Sequence, residues 1–218
     1  MKYVVSKSFN CAVERSPRVL EVGEAFGLGL HDKEFVIYRD VEIEINPGDV
    51  VLIHGQSGSG KSLLLRDLSE QMTAEGLRVA NIETVPIADA TIIDQIGHDM
   101  GDAVNLLAKA GLSDAWILIR KPEQLSDGQR YRLKLAKLIE TDADVLIADE
   151  FGAVLDRQTA KVIAYNLQKL ARRLGKTVII ATTHGDLEAD LNPSVRVMKQ
   201  FGSRVEVDYD QIRIQAVA

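Results

Sequence analysis

The stretch Gly55-Gln56-Ser57-Gly58-Ser59-Gly60-Lys61-Ser62 has the residue types and spacing of a phosphate cradle. It fits G-x-x-x-x-G-K-[ST] at every fixed position, with an apolar run before it and a helical pattern after it. Gly55, Gly58 and Gly60 let the backbone fold tightly, so that successive loop N–H groups, from Gln56 through Ser59, point at phosphate oxygens. The start of the following helix adds the positive end of its dipole. Lys61 is placed to reach the β- and γ-phosphates of ATP, and Ser62 to ligate Mg2+. The bland alternative, a flexible Gly/Ser turn, explains neither the fixed positions nor the flanks.

Two further groups suit that cradle. Asp149 and Glu150 close the apolar run Val145-Leu146-Ile147-Ala148. Beside such a loop the first acid is expected to hold Mg2+ through water, and the second to orient or deprotonate an attacking water. Strands often end in acids, so this reading leans on the loop upstream. His184 follows "TVIIATT". There an imidazole could hydrogen-bond a γ-phosphate and help to position water. His31, His54 and His98 lack that placement. The stretch Leu125-Ser126-Asp127-Gly128-Gln129 is more ambiguous. Ser126 and Gln129 have the S-x-x-Q spacing of a capping box. A helix start with free N–H groups is also a phosphate-binding device, and both readings can hold together.

These groups need elements to position them. "RDVEIEINPGDVVLIHG" alternates at period two, turns at Asn46-Pro47-Gly48-Asp49, then runs apolar, which predicts a strand, a tight turn and a buried strand over Val50 to His54. "KSLLLRDLSEQMTAEG" has apolar residues at helical spacing and a terminating Gly76, and "LRVANIE" reads as a short strand. From Pro86 to Lys121 short helical segments broken at Gly97, Gly101 and Gly111 suggest a small inserted helical subdomain. "DADVLIADE" and "TVIIATTH" are further buried strands with an amphipathic helix between them. "SVRVM" and "RVEVDYD" suggest edge strands. Strands alternating with helices imply an α/β fold with a mostly parallel sheet and ligands at the strands' carboxyl ends.

The chain has 218 residues, enough for one large α/β domain or one with a small insertion. Its net charge of −6 argues against a broad basic surface for nucleic acid. Cys11 is the only cysteine, which excludes an internal disulfide and a cysteine metal cluster and fits a reducing compartment. No apolar run approaches a membrane span, and the start lacks the apolar core of a secretory signal. A cytoplasmic location is expected, with any membrane attachment made through another chain.

The order of these motifs, phosphate loop, "LSDGQ", "VLIADE", "AVLD" and a histidine after a strand, resembles the nucleotide-binding domain of the ATP-binding cassette (ABC) ATPases. The resemblance covers about Val19 to Asp190. It implies a core over 19–85 and 140–218 with an antiparallel β subdomain, and a helical and signature subdomain over 86–139. Ser126, Gly128 and Gln129 match the family's LSGGQ signature, with Asp127 replacing a glycine. Ala153 to Asp156 match its D-loop, and His184 its switch histidine. The family pairs two domains head to tail, each ATP lying between one subunit's phosphate loop and the other's signature, so an ATP-dependent homodimer is implied. Phe26 resembles the aromatic that stacks on adenine; plain core packing is the alternative. The family's usual glutamine after the strand that follows the loop helix is missing, and Glu83 stands nearest to it as a metal contact. "GLSDAWILIRKPEQLSDGQRYRLKLAK" further resembles a soluble ABC group, some members of which are fused to an acetyltransferase-like domain.

Three functions stay open on these grounds. The short segment between Gly55 and Ser126 and the missing glutamine favour a soluble ATP-driven switch acting on a protein or nucleoprotein partner. The core motifs equally allow the energising subunit of a membrane transporter. A non-hydrolysing module that uses ATP as dimer glue is disfavoured by the presence of Lys61, Glu150 and His184.

Overall fold

The computed structural model describes residues 1–31 and 33–210; the tail 211–218, assigned above to the core, lies outside the described residues. In chain order the elements are β1 (Lys2–Cys11), α1 (Pro17–Phe26), β2 (Lys33–Glu44), β3 (Val50–His54), α2 (Lys61–Ala74), β4 (Val79–Asn81), α3 (Met100–Lys109), α4 (Ala115–Leu118), α5 (Asp127–Glu140), β5 (Val145–Ala148), α6 (Arg157–Leu174), β6 (Thr177–Thr182), α7 (Glu188–Leu191), β7 (Val195–Lys199) and β8 (Val205–Tyr209). Single 3-10 turns occupy Ile92–Gln95, Pro122–Gln124 and Gly185–Leu187.

Six strands form one sheet in the order β4-β5-β6-β3-β7-β8. The first five are parallel, and β8 alone runs against its neighbour. The central parallel strands β3, β5 and β6 read as apolar runs because both faces are covered. Alternate residues accordingly enter two separate cores. Val50, Leu52, Leu146, Ala148, Val178 and Ile180 pack under α3, α5 and α6. Val51, Ile53, Val145, Ile147, Ile179 and Ala181 pack against α2 and against Tyr3, Val5, Tyr38 and Ile43 of β1 and β2. The helical segment from Ile92 to Leu133 contributes to the first core together with Leu146 and Ile163, so its packing is continuous with the sheet.

β1 and β2 form a separate antiparallel pair. Their register passes from Lys7↔Tyr38 to Ser8↔Val36, leaving Ile37 as the extra residue of a β-bulge. Between the two strands stands α1, started by Pro17 after the capping Ser16 and ended at Gly27 in the left-handed region.

One expectation needs correcting. "SVRVM" is not an edge strand: β7 lies between β3 and β8, and only β8 is at the margin. Its pattern misleads because Arg196 turns to Glu188, at 2.6 Å, giving an inner strand a polar residue. No helix of the described residues is long and apolar enough to cross a membrane.

Candidate functional site

Because β3, β5, β6 and β7 are parallel, their carboxyl ends emerge together. β3 ends in the loop Gly55–Ser62, β5 in Asp149 and Glu150, and β6 in Thr183 and His184. The result is one cleft of about 470 Å³ lined by Ser57, Gly58, Gly60, Lys61, Ser62, Asp149, Glu150 and His184, with Thr182, Thr183 and Ala153 completing its wall.

The loop is held from outside. A Cβ on Gly55 would lie 2.0 Å from the carbonyl oxygen of Lys199, so only glycine fits between β3 and β7 there. Gly60 has φ +102 and a Cβ on it would come within 2.6 Å of Ile37, the bulged residue of β2. Gly60 is also the N-cap of α2 and brings no side chain to the helix's free N–H groups. With no side-chain cap, those donors are of the kind that suits phosphate. Lys61 is 8% exposed, and its ammonium donates to the carbonyls of Gly55, at 2.9 Å, and Gln56, at 2.8 Å. Burial pushes its pKa down, against the opposing pull of Asp149 and Glu150. Ser59 Oγ is buried without a hydrogen bond among the described residues.

Ser62 at the helix start and Asp149 at the end of β5 both open onto the cleft. A hydroxyl and a carboxylate are hard oxygen donors of the kind Mg2+ takes beside phosphate, so the residues present fit that ion. Glu150 has φ +48, a left-handed backbone that an L-residue adopts at a cost. Its N–H donates to Asp149 Oδ1 at 2.9 Å. The next residue is clamped to β6: the Phe151 N–H donates to the Ala181 carbonyl at 3.0 Å, and the Thr182 hydroxyl to the Phe151 carbonyl at 3.0 Å. Thr182 Oγ1 in turn accepts the His184 N–H at 3.1 Å. One buried threonine therefore ties the acid turn to the histidine turn. Sequence reasoning passed over it, although "TT" directly before His184 was the available signal. Tyr131 of α5 packs edge-on against Phe151, with ring centroids 6.3 Å apart, and burial pushes its hydroxyl pKa up.

The signature residues do not line this cleft. Ser126 is the exposed N-cap of α5, and the reciprocal box is present: Ser126 Oγ accepts the Gln129 N–H at 3.3 Å, and Gln129 Oε1 accepts the Ser126 N–H at 3.1 Å. Gly128 lies against the D-loop, where a Cβ would meet the Val154 carbonyl oxygen at 3.1 Å. Asp156 of that loop caps α6 by accepting the Thr159 N–H, and hydrogen bonds from the Thr159 side chain and then its backbone hold the carboxyl below the usual range.

Two expected residues stand elsewhere. Glu83 follows β4, is not part of the cleft lining, and faces Lys134 of α5 at 3.5 Å. Phe26 ends α1, is 74% exposed and does not line the cleft. A different aromatic surface adjoins the bulge that touches Gly60. Phe9 and Phe35 pair across β1 and β2, and each is 47% exposed.

A family model described as ABC transporter matches residues 38–86. A methionine import ATP-binding protein of Streptococcus pyogenes serotype M4 is 29% identical, over 78% of this chain and 59% of the relative. A probable export ATP-binding/permease protein of Pseudomonas fluorescens is 30% identical, over 76% of this chain and 30% of the relative. The chain spans 56% to 61% of the length of the methionine import relatives it matches. Among solved structures, a dimeric ATP-binding cassette in a post-hydrolysis state bound to ADP and Pi superimposes with a TM-score of 0.65 at 19% identity, covering 94% of this chain and 98% of that one. The finer likeness to the group fused to an acetyltransferase-like domain is not borne out. Fold, cleft and relatives agree on the coarser resemblance: this chain is an ABC-type nucleotide-binding domain.

Proposed function

We propose that this chain binds ATP with Mg2+ in the cleft, pairs head to tail with a second copy, hydrolyses the nucleotide, and drives a membrane transport partner. The observation that carries the reading is the convergence of Lys61, Ser62, Asp149, Glu150 and His184 on one cleft while Ser126 opens outside it. Lys61 exchanges its contacts with the Gly55 and Gln56 carbonyls for the terminal phosphates. Ser62 and Asp149 hold Mg2+, which when bound neutralises charge developing on the phosphate oxygens. Glu150 takes the proton of the attacking water. His184 donates to the γ-phosphate and keeps that water in line. Ser126, Gly128 and Gln129 of the second copy close the site over the nucleotide, as free N–H groups at a helix start can do. Adenine stacking is better served by Phe9 and Phe35 than by Phe26. A metal role for Glu83 has little support, since its carboxylate is engaged by Lys134. We read 86–139 as the unit that carries the signature between the two parts of the core.

The transport role rests on the relatives, which are import and export ATP-binding proteins. They weigh against the soluble switch favoured by the short insertion. The test is capture of partners from detergent-solubilised membranes and from the soluble fraction on the Glu150→Gln chain, with ATP and with ADP. An integral membrane protein retained with either nucleotide is expected. Retention of soluble proteins alone would return the switch reading.

A further inference from the structure

Lys199, the last residue of β7, is fully buried, yet its ammonium is held by two carbonyls rather than by a carboxylate: Gln200 O at 2.6 Å and Gly202 O at 2.7 Å. Burying an ammonium is costly, and a neutral side chain of the same length would fill the space without that cost. Burial pushes the pKa of this amine down, while the two short hydrogen bonds favour its charged form.

Its position relates that cost to the phosphate loop. The Lys199 carbonyl oxygen occupies the place where a Cβ on Gly55 would stand, at 2.0 Å. Its Cε lies 3.6 Å from the corresponding point on Gly60. The residue thus runs beneath the loop from its first fixed glycine to its last, and ends in a unit charge shielded from water. The two carbonyls orient that charge but do not cancel it. The only other buried lysine among the described residues is Lys61, which belongs to the loop itself and donates to the Gly55 and Gln56 carbonyls.

We propose that Lys199 is a positioning residue that braces the phosphate loop from below and, through its buried charge, biases the loop toward the more highly charged nucleotide, ATP over ADP. The proposal rests on the nucleotide-binding reading above. A brace acts on both nucleotides alike, because both occupy the loop. A buried charge acts on their difference.

The test measures ATP and ADP affinity, with Mg2+, by titration calorimetry on the wild-type chain and on Lys199→Met, Lys199→Gln and Lys199→Arg. Met keeps the stem without charge or donors. Gln keeps donors without charge, and reads the same quantity should the Met variant not fold. Both neutral variants are expected to lower the ATP:ADP affinity ratio about tenfold, the effect of one extra unit charge felt over roughly 10 Å at the effective dielectric of a protein site. Arg is expected to retain the wild-type ratio. An unchanged ratio in the neutral variants, or equal losses for both nucleotides, overturns the proposal. Failure of the wild-type chain to bind ATP overturns instead the nucleotide-binding reading beneath it.

Discussion

Glu150 combines a proposed chemical task, as the base, with a backbone that its residue type resists. Two substitutions separate these properties. Glu150→Gln should abolish turnover while preserving ATP binding and the ATP-bound dimer, because the base is lost and the phosphate contacts remain. Hydrolysis at the wild-type rate in that variant would exclude Glu150 as the base. Glu150→Gly should also abolish turnover but raise stability by about 1 kcal/mol, since glycine takes φ +48 without strain. A denaturation midpoint at or below wild type would show that the turn carries no strain. For the proposed base-stacking surface, Phe9→Ala and Phe35→Ala should each weaken ATP binding by about 1 kcal/mol and leave inorganic triphosphate binding unchanged. Phe26→Ala should leave both unchanged; calorimetric titration distinguishes the two assignments. The placement of Lys61, Ser62, Asp149, Glu150 and His184 in one cleft was legible because each follows a buried strand at a fixed offset. The placement of Thr182, Lys199 and Phe9 was not, because it depends on which distant strands become neighbours.

The first turn of helix α5 carries a capping box, and the proposed function gives the same turn a second task, closure over the nucleotide of the second copy. Ser126→Ala removes the cap and should cost about 1 kcal/mol of stability. Ser126→Asp keeps an equally good cap, but sets a carboxylate where a phosphate of the second copy's nucleotide should lie. It should melt within a few degrees of wild type and fail to dimerise with ATP in the Glu150→Gln background, as read by light scattering. Normal dimerisation of the Asp variant would remove Ser126 from the shared site. Two helix boundaries were readable in the sequence, the start of α5 from Ser126 and the end of α2 from Gly76. The strand pair β1 and β2 was only half readable. The bulge at Ile37 breaks period two, and α1 interrupts what would otherwise be a hairpin.

Over the whole molecule the sheet separates two cores, and the one beneath β1 and β2 contains two phenols that titrate unusually. Burial, with Glu75 nearby, pushes Tyr3 up to about 12. Tyr38 is raised as well, by burial first and then by its hydrogen bond to Asp67 at 2.8 Å. An unfolded tyrosine loses its proton near pH 10, while folded Tyr3 keeps it to about 12. The folded state therefore binds more protons in that window, and stability falls as pH rises from about 10 toward 12. The fall in urea midpoint between pH 9 and pH 11 should be smaller in Tyr3→Phe than in wild type; equal falls would show that Tyr3 ionises freely in the fold. The parallel sheet itself was legible from its apolar runs, but strand order was not, since five parallel strands can be ordered in many ways with the same pattern. That order has a consequence for the chain's birth. β3 is flanked by β6 and β7, so Val50 pairs with Val178 and Val51 with Val195. A ribosome that has delivered the whole stretch GQSGSGKS has made a phosphate motif without a phosphate site. The backbone that packs against Gly55, at Lys199, is translated long afterwards, so the loop gains that packing only once β7 has left the exit tunnel.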